Sequence, residues 1–195
     1  MNEAVIHDEG SIARITERLE RVEAHLEIGQ LPVRYAMAID ARDLDALVAC
    51  FVPDVPAGRW GTGRDSLRQF FDRRLRDFYR TIHQICGQTI ELVDSTNATG
   101  QTYCRAEHED RGRWVVMAIC YSDTFEQVDG EWFFSRRKEQ HWYSSDVLER
   151  PTGPNFQRWP GNEKKQVALP HAWPTWNEFW SASESTHVAT LTSEV

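Results

Sequence analysis

The sequence lacks the features that would place the protein in a membrane or on nucleic acid. Its 195 residues contain no apolar run that approaches the length of a membrane span. It also lacks an excess of positive charge, because a net charge of -8 provides no basic face to neutralise phosphates. Residues 1–8 lack the basic and apolar regions of a signal peptide. We therefore expect a cytoplasmic protein that binds neither membranes nor nucleic acid.

The short motifs of metal, nucleotide and nucleophilic sites are missing as well. There is no HExxH or HxH pair, no Walker lysine after the glycines of 61–63, and no GxSxG elbow. The four cysteines stand far apart, none of them in a CxxC pair: Cys50, Cys86, Cys104 and Cys120. We expect them to be small buried apolar side chains. The sequence predicts no metal ion and no organic cofactor.

The first part of the chain has the periodicity of helices. Apolar residues alternate at spacings of three and four along one face of residues 11–28, at Ile12, Ile15, Leu19, Val22 and Leu26. This face resembles a short coiled-coil seam, but two heptads are too few to hold a partner alone, and we favour a helix packed on its own domain. Further helices are expected over 30–41, with Pro32 in the first turn, over 44–51 and over 65–79.

After residue 80 the period changes to two, which indicates strands. Segments 81–93, 100–109, 113–127 and 131–145 are separated by turn signals, the clearest being Asp129-Gly130. The expected fold class is α+β: a curved, cone-shaped, mainly antiparallel sheet packed on three N-terminal helices, all within residues 1–150.

The composition shifts after residue 150. Five of the eight prolines and four of the eight tryptophans fall between 151 and 180. Because exposing four indoles would be costly, we expect residues 151–185 to form an arm packed on the domain or on a neighbouring subunit. Residues 186–195 are expected to be a disordered tail.

Two residues could form a general-base pair if the fold brings them together. Asp40 ends a helical segment, where the helix dipole disfavours an anion, so local stability does not explain it. His83 begins a strand, and a carboxylate that holds an imidazole in one tautomer equips it to take a proton from carbon. The alternatives are a solvated aspartate at a turn and a structural histidine in a strand.

Other polar residues could share a pocket with this pair. His108 alternates in phase with Thr102, Cys104 and Ala106, which favours a concave surface, although an exposed strand end is equally consistent. In the last strand, one of Arg136 and Arg137 should point inward, where it could stabilise an anion. His141 lies on the same strand, two positions from Glu139.

The order of parts resembles the SnoaL-like branch of the nuclear-transport-factor-2-like superfamily. The matching pieces lie between about 12 and 148: residues 35–47 (YAMAIDARDLDAL), 51–54 (FVPD), 82–84 (IHQ) and the hairpin from 121–125 (YSDTF) to 129–134 (DGEWFF). The chain is most similar to the small dehydratases and lyases of that superfamily, such as bile-acid 7α-dehydratase, hexachlorocyclohexane dehydrochlorinase and scytalone dehydratase.

This resemblance implies roles for particular residues. Asp40 and His83 match the catalytic dyad, Tyr35 matches a pocket tyrosine, and His108 falls near a second pocket histidine. Arg137 and His141 fall at substrate-binding positions in the last strand. The remaining pocket lining is expected from large apolar side chains: Phe51, Trp60, Met117 and Trp142. The family fold also implies a homo-oligomer, either a trimer or a dimer.

The predicted function is that of a cofactor-independent lyase or isomerase. His83, oriented by Asp40, would remove a carbon-bound proton from a small cyclic hydrophobic substrate such as a steroid, polyketide or aromatic compound. Tyr35 or His108 would polarise a carbonyl or protonate a departing hydroxyl. One alternative is a non-catalytic small subunit of a ring-hydroxylating dioxygenase complex. Another is a module on the same fold that binds an apolar ligand without turning it over.

Overall fold

A computed structural model describes residues 3–148, 158–159, 162–166, 174 and 177. Its helices are α1 (Glu3–Ala41), α2 (Leu44–Ala49) and α3 (Arg64–Leu75), with a 3-10 turn at Gly58–Trp60 between the last two. Its strands are β1 (Thr81–Leu92), β2 (Asn97–Asp110), β3 (Arg113–Val128), β4 (Glu131–Asp146), β5 (Arg158–Trp159) and β6 (Asn162–Gln166). The predicted α+β class is confirmed.

The first helix differs from the prediction. The sequence indicated two helices, over 11–28 and 30–41, but α1 is continuous, and Pro32 lies in its interior rather than in a first turn. Proline removes one helical hydrogen bond and usually kinks or ends a helix. Here Ile28, Leu31, Pro32 and Tyr35 are all buried on the face that packs against the domain. Tertiary packing of this face therefore outweighs the local propensity.

The four long strands form one antiparallel meander in the order β1-β2-β3-β4. The strand predictions are confirmed to within a few residues at each end. Bulges interrupt the register of β1 with β2 after Ile85, and of β3 with β4 after Ala118 and Thr124. Such bulges bend the strands. The sheet is accordingly curved and does not close.

The helices cover one face of this sheet. One buried cluster joins α1, α2 and α3 to the hairpin of β3 and β4, where Phe125 and Phe134 are almost completely buried. A second cluster lies on the same sheet, nearer the other ends of the strands, and includes Ala106, Met117 and Ile119. The space between this second cluster and the helices is the cavity described below.

Beyond the meander, β5 and β6 pair with each other in a short antiparallel hairpin, and β5 lies close to β4. The predicted disordered tail, and all but nine residues of the predicted arm, fall outside the described residues. The packing of that arm stays a prediction.

The cysteines are all free thiols. Three of them are buried, as expected, but Cys86 is exposed because it occupies the bulge of β1. Within the part of the chain that the structure describes, no helix combines the length and the apolar character needed to cross a membrane.

Candidate active site

The end of α1 sets the position of Asp40. Arg42 has a φ of 60° and so leaves the helical conformation. The backbone N–H of Asp43 donates to the carbonyl of Ala38 at 2.9 Å, and that of Arg42 donates to the carbonyl of Ile39 at 3.2 Å. These two bonds are the Schellman pattern of a helix C-terminus. Asp40 is thereby held in the last helical turn, facing the start of β1.

Asp40 binds His83 with both carboxylate oxygens. Its Oδ1 lies 2.7 Å from Nδ1 of the His83 ring, and its Oδ2 accepts the backbone N–H of the same residue at 2.7 Å. Thr81 Oγ1 also donates to Oδ1, at 2.8 Å, and in turn accepts a bond from the Arg42 guanidinium at 2.8 Å. The fold therefore joins the two residues that the sequence singled out in one hydrogen-bonded network.

The charge state of Asp40 follows from these bonds. Partial burial disfavours the anion, but the hydrogen bonds from His83 and Thr81, and the positive charge of His83 when its ring is protonated, outweigh burial and lower the pKa of Asp40 below its ordinary value. An ionised Asp40 accepts the Nδ1 proton of a neutral His83. The other ring nitrogen, Nε2, is then the basic one.

His83 lines a cavity of about 1330 Å³ between the helices and the concave face of the sheet. Asp40 lies behind the imidazole and does not line the cavity. The cavity wall contains eight of the ten residues predicted for the site: Tyr35, Phe51, Trp60, His83, His108, Met117, Arg137 and His141. The wall combines apolar and aromatic side chains with polar and charged groups, an arrangement that can bind and orient a small molecule.

His108 lies beside His83. Their ring centroids are 5.7 Å apart at an interplanar angle of 80°, and the ring of Phe78 lies 4.8 Å from that of His108. His108 is only 6% exposed. The sequence was consistent with either a concave surface or an exposed strand end, and the structure places His108 on the concave surface. Its strand partner is Thr81, which belongs to the Asp40 network.

Trp142 does not line the cavity, which corrects the prediction for this residue. Trp142 occupies a bulge of β4, because Ala118 pairs with Tyr143 while the next residue, Ile119, pairs with His141. Trp142 instead stacks on Tyr103 of β2, with ring centroids 6.5 Å apart. Because that pair lies on the convex face, Trp142 cannot contact a molecule bound beside His83.

A buried ion pair lies on the β4 side of the cavity. Arg137 donates through Nε and Nη2 to the two oxygens of Asp123, both at 2.9 Å, and Thr102 Oγ1 donates to the same carboxylate. The side chains of Arg137 and Asp123 are 4% and 0% exposed. Burial disfavours the charged guanidinium, but Asp123 outweighs burial and raises the pKa of Arg137. Arg137 is therefore cationic.

One nitrogen of the Arg137 guanidinium makes no hydrogen bond to the described residues. This atom is Nη1, and it is buried. The Cζ of Arg137 stands 4.6 Å from the ring centre of Tyr35, 4.1 Å from that of Tyr121 and 4.4 Å from that of Phe134. An unused N–H on a buried cation is suited to an anion or a polarised oxygen.

The two tyrosines beside Arg137 are hydrogen-bond donors rather than bases. Burial raises the pKa of Tyr35, and the positive charge of Arg137 only partly offsets this. Burial also raises the pKa of Tyr121 well above its ordinary value, with a further contribution from Tyr35. Both phenols consequently stay protonated at neutral pH.

Several residues of this site were not predicted. Glu139 lines the cavity and is hydrogen-bonded to Nε2 of His141, which makes a second histidine–carboxylate pair. The period-two pattern of β4 places Arg137, Glu139 and His141 on one face and was a usable signal. No comparable signal marked Thr81 or Tyr121, since their roles depend on contacts with α1 and Arg137.

Among the described residues, no three His, Cys, Asp or Glu side chains are grouped in a way that could hold a metal ion. The histidines of the two histidine–carboxylate pairs lie on different strands, His83 on β1 and His141 on β4.

The lowered pKa of Asp40 predicts a specific acid sensitivity. A carboxylate whose pKa is lower in the folded state stabilises the fold fully above its unfolded pKa, near 3.8, and loses that contribution as the pH falls through the folded pKa. The free energy of unfolding of the wild type should therefore exceed that of Asp40→Asn by a margin that shrinks as the pH falls below about 4. Denaturant titrations across this range measure the margin, and a margin independent of pH would contradict the assignment.

The Arg137–Asp123 pair predicts a large and non-additive stability effect. Asp123→Ala strands a buried cation and should lower the free energy of unfolding by about 3–5 kcal/mol. Adding Arg137→Met to that variant removes the stranded charge, so the double variant should recover a large part of the loss. Denaturant unfolding of the two variants and the wild type tests this. A double variant less stable than Asp123→Ala would refute the account of the pair.

Comparisons with known proteins agree with this architecture. A solved protein of Novosphingobium aromaticivorans, named as a candidate scytalone dehydratase, is 25% identical with a TM-score of 0.57, covering 71% of this chain and 97% of its own. The hexachlorocyclohexane dehydrochlorinase LinA-type3 of Novosphingobium barchaimii is 19% identical with a TM-score of 0.62, and the match covers 70% of this chain and 99% of that protein. A Mycobacterium tuberculosis protein of unknown function, Rv3472, is 22% identical with a TM-score of 0.55, and the match covers 70% of this chain and 80% of that protein.

At these identities, the latter two similarities establish the fold alone. No curated protein sequence matches the chain. A family model does match, over residues 20–138, and this range includes Tyr35, the Asp40–His83 pair, His108 and Arg137. The chain therefore belongs to the family of SnoaL-like domains.

Proposed function

We propose that the protein is a lyase of the dehydratase type that removes a carbon-bound proton with His83. The observation that carries the proposal is the double contact of Asp40 with the ring and the backbone of His83, on the wall of a large cavity. This contact fixes the ring orientation and favours the tautomer with a basic Nε2. It also stabilises the imidazolium that forms when the proton is taken.

The cavity wall supports a substrate that is mainly apolar and cyclic. Aromatic side chains surround the site: Phe51, Phe70 and Phe71 line the cavity, with Trp60 on the neighbouring loop. Its volume of about 1330 Å³ accommodates a multi-ring molecule. The acidic hydrogen on such a substrate would lie on a carbon next to a carbonyl, because this lowers the barrier to forming a carbanion.

In the proposed reaction His83 Nε2 removes the proton and the C–H electron pair becomes the new C=C bond. A hydroxyl on the adjacent carbon leaves, and it takes a proton from an acidic group to depart as water. His108 and the protonated Tyr35 phenol are the candidates for that donor, since both line the cavity. The positive charge of Arg137 would stabilise negative charge on the carbonyl oxygen.

Two solved structures with the same fold support the reaction class. One carries the name of a scytalone dehydratase and the other that of a dehydrochlorinase, and both names describe eliminations. We extend the class to this chain because its own Asp40 and His83 are in contact. Return of the proton to a different carbon, which would make the reaction an isomerisation, uses the same base.

The test is turnover of a panel of cyclic β-hydroxy ketones. Elimination is followed by the absorbance of the conjugated product, and proton removal by NMR detection of deuterium exchange in D₂O. His83→Ala and Asp40→Asn should each lower turnover about 10²- to 10⁴-fold, the range for loss of a general base. His25→Ala and Asp54→Asn change the same residue types at exposed positions and should leave turnover unchanged.

The result that would refute the proposal is retained full turnover in both dyad variants, with folding verified by circular dichroism. Binding of panel members without turnover or deuterium exchange in the wild type would also refute it. That outcome would favour the ligand-binding alternative. Copurification with a larger iron-containing chain, again without turnover, would favour the dioxygenase-subunit alternative.

A further inference from the structure

The first half of α1 extends beyond the domain. Every side chain from Ile12 to Glu23 is exposed, and the residue that follows them, Ala24, is buried. At 1.5 Å per residue, this segment projects by roughly 18 Å. It does not pack on its own domain, which corrects the interpretation favoured from the sequence.

The projecting segment carries the apolar stripe noticed in the sequence. Its members are each between 54% and 64% exposed: Ile12, Ile15, Leu19, Val22 and Leu26. A helix of this length that lacks tertiary contacts is marginally stable in water. Exposed apolar side chains in a continuous row mark an interaction surface rather than the scattered exposure common on proteins.

The continuity of α1 lengthens this stripe. Because the helix does not end near residue 29, the same heptad runs on through Gly29 to Val33, which is 39% exposed. When Ile12 is assigned to position a of the heptad, seven residues fill positions a and d: Ile12, Ile15, Leu19, Val22, Leu26, Gly29 and Val33. We call these seven residues the seam. The seam spans three heptads, whereas the two-helix interpretation stopped at two. Three heptads reach the length at which a coiled coil becomes recognisable.

The charges beside the seam show which occupant fits. In the same register Arg18 is at position g and Glu23 at position e, and both are exposed. In a parallel pair of identical helices, g of one copy faces the following e of the other, so Arg18 meets Glu23 twice. Antiparallel pairing centred on residues 15–19 would place Arg18 against Arg18 instead. The seam is therefore complementary to a parallel copy of itself.

The opposite face of α1 is compatible with this pairing. Ala24, Ile28 and Leu31 pack against the domain and occupy positions f and c, which point away from a coiled-coil partner. Two or more domains can consequently lie on the outside of a shared helical axis without competing for the seam.

We propose that α1 is a parallel self-association helix, which joins copies of this chain along the seam. The partner is another copy of the same chain, in register. Ile15 and Val22, which are β-branched, occupy d positions where two-stranded coiled coils prefer leucine, so assembly is not limited to two copies. This association does not depend on the chemistry of the cavity.

The first test is a disulfide at the seam of the full-length protein. In a parallel in-register assembly, residue 22 lies opposite itself in the next copy. Val22→Cys, made together with Cys86→Ser to remove the exposed native thiol, should form a disulfide-linked dimer under mild oxidation. Glu20→Cys on the same background is the matched control, because position b faces solvent, and it should stay unlinked.

The second test is a charge swap, measured as dissociation of the assembly by analytical ultracentrifugation. Glu23→Arg should raise the dissociation constant about 2- to 30-fold, as expected for loss of two exposed ion pairs. Adding Arg18→Glu should restore wild-type association. The same measurements on Leu19→Asp should show loss of association along the seam, with circular dichroism reporting a folded domain.

A monomeric wild type, or no cross-link in the Val22→Cys variant, would overturn the proposal. Association that is weakened by Glu23→Arg and not rescued by the swap would overturn the parallel register.

Discussion

The double contact between Asp40 and His83 is the constraint on which the arrangement of the site depends. One carboxylate at the last turn of α1 accepts both the ring Nδ1–H and the backbone N–H of a single residue in β1. This single contact constrains both the angle between the end of α1 and the edge strand β1 and the rotation of the imidazole ring. Thr81 and Arg42 continue the same network, so the helix end is bonded to the sheet by several groups rather than one.

The positive charge of Arg42 also resolves a local conflict. An anion at a helix C-terminus is disfavoured by the helix dipole. The guanidinium of Arg42 lies at the same end of α1, where it donates to the Ile39 carbonyl at 2.7 Å and contributes favourable charge next to Asp40. The positive φ of Arg42 is a strained conformation for a residue that is not glycine. We interpret this strain as the local cost of holding the carboxylate in a functional position.

The two edge strands carry complementary chemistry. On β1, the proposed base His83 is bonded to Asp40 of α1, and on β4 a buried, cationic Arg137 has an unused N–H donor beside two protonated tyrosines. A base on one wall and donors on the other are what removal of a proton next to a carbonyl requires. Curvature of the sheet brings these walls to a common cavity. The bulges in β1 and β4 therefore matter to the site as well as to the fold.

The sequence predicted much of this arrangement, and the exceptions have physical causes. Period-two patterns and turn signals located all four long strands, because each strand buries one face. The boundary at residue 29 was wrong because the burial of Ile28, Leu31 and Tyr35 overrides the propensities of Gly29 and Pro32. Trp142 was placed in the pocket because residue type alone suggested it, and the bulge that it occupies was not visible in the sequence. Glu139 could have been found by its alternation with Arg137 and His141, whereas the contact of Thr81 with Asp40 could not.

We infer that Asp40 holds neutral His83 as the Nδ1–H tautomer, which leaves Nε2 unprotonated and basic. The most direct measurement is the tautomer of His83 by ¹⁵N NMR of histidine-labelled protein, with the His83 signals assigned from the His83→Ala variant. We expect Nδ1 to be protonated and Nε2 unprotonated in the neutral ring, with a substantial shift toward the other tautomer in Asp40→Asn. A neutral His83 protonated at Nε2 in the wild type would contradict this inference.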